Sequence, residues 1–128
     1  MARILVIDDE VNIQKYLTRL LGGLGHEVLV AGDGATGSEL ARDPSIEIIL
    51  TDLTMPGDPN GMELVRLLRK DRPDCPIVVI SGYPTEERLN ECAQLGIHDF
   101  LTKPFEVSFV RGVITRLLEK PAKPEQRA

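Results

Sequence analysis

The sequence predicts a doubly wound α/β domain, a five-stranded parallel sheet with helices on both faces. Five short apolar runs alternate with longer amphipathic stretches along the 128 residues. Most of these runs are continuous and β-branched rather than alternating, as expected of strands covered on both sides. Parallel neighbours need crossover connections, and the amphipathic stretches are long enough to supply them.

Taken in order, Ile4–Ile7 is the first strand. Ile13, Leu17, Leu20 and Leu24 then recur at helical spacing and predict the first helix. Val28–Ala31 is the second strand, and Gly37, Leu40 and Ala41 mark a weaker helix that Asp43-Pro44 ends. Ile48–Leu50 is the third strand. Leu64, Val65 and Leu68 mark the third helix, with Asp58 or Asn60 as its cap. Ile77–Ile80 is the fourth strand. Pro84 suits the first turn of the fourth helix, where Glu86 and Glu87 favour the dipole and Leu89, Cys92 and Ala93 form the apolar face. A weaker run, Ile97–Leu101, is the fifth strand, and Val107, Val110, Ile114 and Leu117 define the last helix. Residues 1–120 form one domain on this reading, and 121–128, with two prolines and no periodicity, a frayed tail or the start of a linker.

Composition narrows the function. A net charge of −5 argues against a general nucleic-acid binder, which needs a basic face against phosphates. No apolar run approaches the length that spans a bilayer, and the first strand is too short for a signal-peptide core, so a cytoplasmic location is expected. Cys75 and Cys92 are too few for a disulfide framework or a cysteine metal site and are expected to be ordinary reduced thiols. His26 and His98 lack ligand spacing and are expected at the surface.

In an open parallel sheet, ligands bind beyond the carboxyl ends of the strands. Asp8, Asp9 and Glu10 follow the first run, Asp52 the third, Ser81 the fourth and Lys103 the fifth. With strand order 2-1-3-4-5 these groups converge on one sheet edge. Crowded carboxylates need a counter-charge, and oxygen ligands with room for water suit Mg²⁺. A lysine and a hydroxyl opposite them offer what a phosphoryl group needs, so Asp52 makes sense as a nucleophile forming an aspartyl-phosphate. Glu10 is a residue of the first helical turn with, at most, an indirect influence.

At these residues the chain resembles the receiver domain of two-component response regulators, single-domain chemotaxis regulators included. The carriers are Ile7–Glu10 (IDDE), Asp52–Gly57 (DLTMPG), Ser81–Tyr83 (SGY) and Thr102–Phe105 (TKPF), in order and each at a strand end. The match runs from Arg3 to about Leu118 and implies the flavodoxin-like order 2-1-3-4-5. It implies Asp52 as phosphoacceptor, taking the group from a kinase phosphohistidine or a phosphotransfer protein. Mg²⁺ would be held by Asp9 directly, Asp8 largely through water, Asp52, and the backbone carbonyl of Thr54. Lys103 would pair with the phosphoryl group, Ser81 would hydrogen-bond it, and Phe100 would be the switch aromatic. Thr54 and Tyr83 match positions that tune dephosphorylation, and the Lys103–Pro104 bond matches one that is usually cis. A downstream protein or an effector domain outside these residues would read the switch, and a phosphorylation-dependent homodimer is a further partner form. No nucleic acid or membrane partner is implied for the domain itself.

Four residues, Gly57–Asn60, stand between Pro56 and Gly61 where the family usually has three. A phosphatase of the haloacid dehalogenase type uses similar groups, but places its nucleophile in a D-x-D motif after the first strand, which Asp8-Asp9 does not match. A degenerate, partner-binding receiver fits poorly with Asp52, Lys103 and Ser81 all in place.

Overall fold

A computed structural model describes residues 1–54, 61–82, 85–97 and 99–119. Strands and helices alternate through them: β1 (Arg3–Ile7), α1 (Val11–Gly23), β2 (Glu27–Ala31), α2 (Gly34–Leu40), β3 (Ile46–Asp52), α3 (Gly61–Asp71), β4 (Ile77–Ser81), α4 (Glu86–Gln94), β5 (Asp99–Thr102) and α5 (Val107–Glu119). Every neighbouring pair of strands is parallel, in the order β2-β1-β3-β4-β5. The predicted class and strand order are therefore those of the molecule.

The two-residue period of each strand sorts its side chains between two cores. Leu5 and Ile7 of β1 enter the core shared with Leu64, Val65 and Leu68 of α3 and Cys92 of α4. Ile4 and Val6 enter the opposite core, with Leu17 and Leu21 of α1 and Val110, Val113 and Ile114 of α5. Both cores are dominated by Ile, Val and Leu, and burying each such side chain is worth about 1.5–3 kcal/mol. On the first face α2 sits tight against β1: a Cβ on Gly37 would lie 2.6 Å from Ile7 Cδ1.

Several predicted details move. Leu24 is not on the buried face of α1; it is the C-cap and partly exposed, and Leu21 takes the core position. Gly25, at φ 94°, ends the helix: its N–H donates to the Gly22 carbonyl and that of His26 to Leu21, the Schellman pattern. The same motif explains β5. Gly96, at φ 79°, closes α4, and the Ile97 N–H returns to the Cys92 carbonyl at 2.9 Å. Ile97 is thus a buried part of the helix stop, and the strand begins at Asp99. Thr85 has extended backbone and caps α4 by accepting the Arg88 N–H at 3.2 Å, so the helix starts at Glu86. Leu89 and Ala93 are exposed, leaving Cys92 as the buried residue of α4. In α5, Val107 is exposed and Val113 joins the core instead. His26 is half-buried, its Nδ1 accepting the Ala2 N–H at 3.1 Å. Both cysteines are free and buried, and burial raises their thiol pKa values. Asp58, Asn60 and the rest of the Gly57–Asn60 stretch that holds one extra residue, Tyr83, Pro84, His98 and residues 121–128 lie outside the described residues. Among the described residues no helix is long and apolar enough to cross a membrane.

At the sheet edge away from the acidic residues, the Arg72 guanidinium gathers three carbonyls. It donates to Ala41 at 2.8 Å, Asp43 at 2.9 Å and Ile46 at 2.7 Å, tying the end of α3 to the chain entering β3.

Candidate functional site

Register places the reactive side chains. Ile7 pairs with Thr51, so Asp8 and Asp52 leave adjacent strands side by side. Asp52 pairs with Ile80 and Ser81 with Thr102, which brings Ser81 and Lys103 to the same edge. The ladder continues one residue past the strands: Asp8 N–H donates to Ala31 at 3.0 Å, Leu53 N–H to Ile80 at 3.1 Å and Lys103 N–H to Ser81 at 2.9 Å. Asp8, Asp52 and Ser81 are buried, Asp8 completely. Main-chain bonds thus fix where each reactive side chain emerges.

The side chains meet at the Lys103 ammonium. Its Nζ donates to Glu10 Oε1 at 2.6 Å and Asp52 Oδ2 at 3.1 Å, and lies 3.3 Å from Asp8 Oδ2. The second oxygen of each buried carboxylate takes a backbone donor: Glu10 N–H on Asp8 Oδ1 at 2.8 Å, Thr54 N–H on Asp52 Oδ1 at 3.1 Å. Gln14, one turn into α1, donates from Nε2 to the Asp8 carbonyl at 2.6 Å and steadies the loop. The Lys103–Pro104 peptide is cis, and Phe105 beyond it packs on Tyr16 of α1 with ring centroids 5.6 Å apart.

Burial is the main influence raising the Asp8 pKa; the neighbouring Asp52 charge adds to it, while the Glu10 amide and Lys103 oppose it. For Lys103 burial would lower the pKa, but the bonds to Glu10 and Asp52 and the charges of Asp52 and Asp8 outweigh it, so the ammonium is held well above its ordinary value. Oxygens of Asp8, Glu10 and Asp52 lie within 4.8 Å of one another, a donor set able to hold a metal ion. Three carboxylates against one ammonium leave negative charge uncompensated, and Asp8 Oδ2 is buried with no hydrogen bond among the described residues. Hard oxygen donors with spare charge fit a cation such as Mg²⁺.

Residues 4–115 match the family model described as the response regulator receiver domain. The chain belongs to that family. It is 37% identical over 96% of its length to the DNA-binding transcriptional regulator NtrC of Azospirillum brasilense, and 34% identical over 92% to protein PilH of Pseudomonas aeruginosa. It spans 25% of the NtrC chain and 98% of PilH. Among solved structures it is similar to a CheY-like receiver domain from Methanospirillum hungatei, with a TM-score of 0.84 and 25% identity, covering 93% of this chain and 95% of that one. NtrX from Brucella abortus matches with a TM-score of 0.86 and 31% identity, over 99% of this chain and 29% of that one.

Within this receiver domain, Asp8, Asp52, Lys103 and Ser81 converge as their strand ends foretell. Asp9 is exposed and lies outside the three-carboxylate group; Glu10 is in it. Thr54 presents its amide to Asp52 while the residue itself is exposed. Phe100, on edge strand β5 opposite Val79, is half-buried against the α3–α4 core. Tyr83 is outside the described residues. Glu10 is the site residue that sequence pattern underrated; a third acid directly after Asp8-Asp9 was the available signal.

Proposed function

We propose that this receiver domain takes a phosphoryl group onto Asp52 from the phosphohistidine of a histidine kinase or phosphotransfer protein. The observation that carries the reading is the Asp52 carboxylate itself: nearly buried at the end of β3, with one oxygen on a backbone amide and the other on the Lys103 ammonium. A carboxylate oxygen so oriented attacks phosphorus as the phosphorus–nitrogen bond breaks; the bond's electron pair returns to the ring nitrogen, and with the proton kept on the other ring nitrogen the products are an acyl phosphate and a neutral imidazole. Lys103 neutralises charge on the transferring oxygens, and Ser81 donates its hydroxyl to one of them. Asp8, Asp9, Asp52 and the Thr54 carbonyl are the groups we assign to Mg²⁺, with Glu10 beside them. When bound, the ion supplies neutralisation of the charge that transfer concentrates at Asp52.

Ser81 and Phe100 are assigned as the switch, and Thr54 and Tyr83 as residues that set the lifetime of the phosphoryl group. Phosphorylation then biases an existing equilibrium of the α4–β5–α5 surface. We assign that surface to a downstream protein, an effector domain or a second phosphorylated copy, in the cytoplasm, with no nucleic acid bound by the domain itself. The test is intact-mass measurement after incubation with acetyl phosphate and Mg²⁺. One phosphoryl adduct is expected on the wild-type chain and none on Asp52→Asn; an unchanged wild-type mass, or equal labelling of the variant, overturns the assignment.

A further inference from the structure

Glu10 occupies the N-cap of α1, a position where the shorter Asp, Asn, Ser or Thr ordinarily turns its side chain back to the first-turn amides. It makes no such bond. Its carboxylate instead crosses to a residue 93 positions away, the Lys103 ammonium, in the shortest of that ammonium's three carboxylate contacts at 2.6 Å. Its own N–H is fixed on Asp8 Oδ1 at 2.8 Å, so backbone and side chain of one residue touch both sides of the pocket. Glu10 is solvent-exposed while Asp8 and Asp52 are buried, so the three anchors of Lys103 differ in character.

Two of those anchors are the buried carboxylates suited to a cation, which must therefore compete with the ammonium for the same oxygens. An ammonium displaced from all its partners would have to leave for solvent. We propose that Glu10 is a positioning residue that gives Lys103 a standing alternative anchor. It keeps the ammonium beside the pocket when a divalent cation claims Asp8 and Asp52, and lowers the resistance Lys103 offers to that cation. The proposal rests on the reading of this pocket as a Mg²⁺-assisted phosphoacceptor site and assigns Glu10 a role in it.

The experiment is calorimetric titration of Mg²⁺ into the whole protein, compared with Glu10→Gln, Glu10→Asp, Lys103→Met and the Glu10→Gln, Lys103→Met pair. Glu10→Gln is expected to weaken Mg²⁺ binding about five- to tenfold, the scale of one lost coupling between neighbouring sites. With Lys103 replaced by Met, the same change is expected to cost clearly less than in the wild-type background, because only the partly screened direct attraction of the exposed Glu10 charge is then lost. An equal loss in both backgrounds would mean that Glu10 acts on the cation itself and would overturn the proposal, as would no loss in either. Should Lys103→Met not fold, Glu10→Asp decides: charge is kept but reach is lost, so the anchor requires a loss matching that of Gln, and wild-type affinity refutes it. Acetyl phosphate labelling of the wild-type chain, measured in parallel, separates failure of this role from failure of Asp52 as acceptor.

Discussion

Replacing Asp8 by Asn should stabilise the metal-free protein while removing a charge from its site. The arithmetic comes from the contacts. At an effective dielectric of about 20, attraction to Lys103 at 3.3 Å is worth about 5 kcal/mol, and repulsion from the Asp52 carboxylate within 4.8 Å costs about 3.5 kcal/mol. Glu10 lies within the same distance but is exposed, so screening reduces its repulsion to about 1.5 kcal/mol. These pair terms cancel to within about 1 kcal/mol, which leaves the Glu10 N–H bond as the remaining offset to the desolvation of a wholly buried carboxylate. An amide of the same shape keeps an oxygen for the Glu10 N–H and is cheaper to bury. Asp8→Asn is therefore expected to gain about 1–2 kcal/mol at pH 7, read as a higher urea midpoint by circular dichroism in metal-free, low-salt buffer. The pH dependence has a definite sign. Because the folded carboxyl titrates above its ordinary 3.8, the native state holds the proton more tightly than the unfolded chain. Wild-type stability relative to the Asn variant should thus rise as pH falls from neutral towards 3.8, closing the gap. A variant less stable than wild type at pH 7, or a gap that widens on acidification, would refute the balance drawn here.

Two further predictions concern the scaffold. Gly37→Ala places a methyl 2.6 Å from Ile7 Cδ1 and should cost about 1–3 kcal/mol in urea unfolding, partly recovered by Ile7→Val, which removes that atom. Arg72→Ala removes a donor from three carbonyls, of which that of Asp43 keeps a backbone donor in the Ile46 N–H, and should cost about 2–4 kcal/mol by the same measurement, with acetyl phosphate labelling of the folded protein unchanged because these bonds lie at the far sheet edge.

The fold and much of the site were legible because both depend on short-range pattern. Continuous runs such as Ile77–Ile80 mark central strands, and the residue just beyond each run lands on one edge whatever the details of packing. Boundaries failed where hydrogen-bond chemistry overrode hydrophobicity. Ile97 and Leu24 are apolar and in phase with their neighbours, but glycines at positive φ recruit the chain around them into helix stops. Val107 keeps the α5 period and still faces solvent, because which side of a helix meets the sheet is settled by tertiary packing. Pattern shows a third acid after Asp8-Asp9 but does not rank Glu10 against Asp9. Successive residues after a strand point in different directions, and only the path of the loop into α1 sends Glu10 towards Lys103.

The position of β5 carries a consequence for how the site is lost. It is a four-residue edge strand paired with β4 alone, from Val78–Asp99 to Ser81–Thr102, and Lys103 follows immediately. The pocket's cation therefore rides on an edge strand of the sheet, while its carboxylates Asp8 and Asp52 are anchored in β1 and β3 at the centre. Detachment of β5 is a local opening that withdraws the ammonium before the central strands feel anything, and it leaves the carboxylates facing one another. Each charge state of the pocket thus feeds back on strand attachment: the metal-free site leans on Lys103 to offset its anions, and a bound divalent cation relieves that demand. Amide exchange along Asp99–Thr102 is accordingly the local clock by which occupancy of the pocket is read.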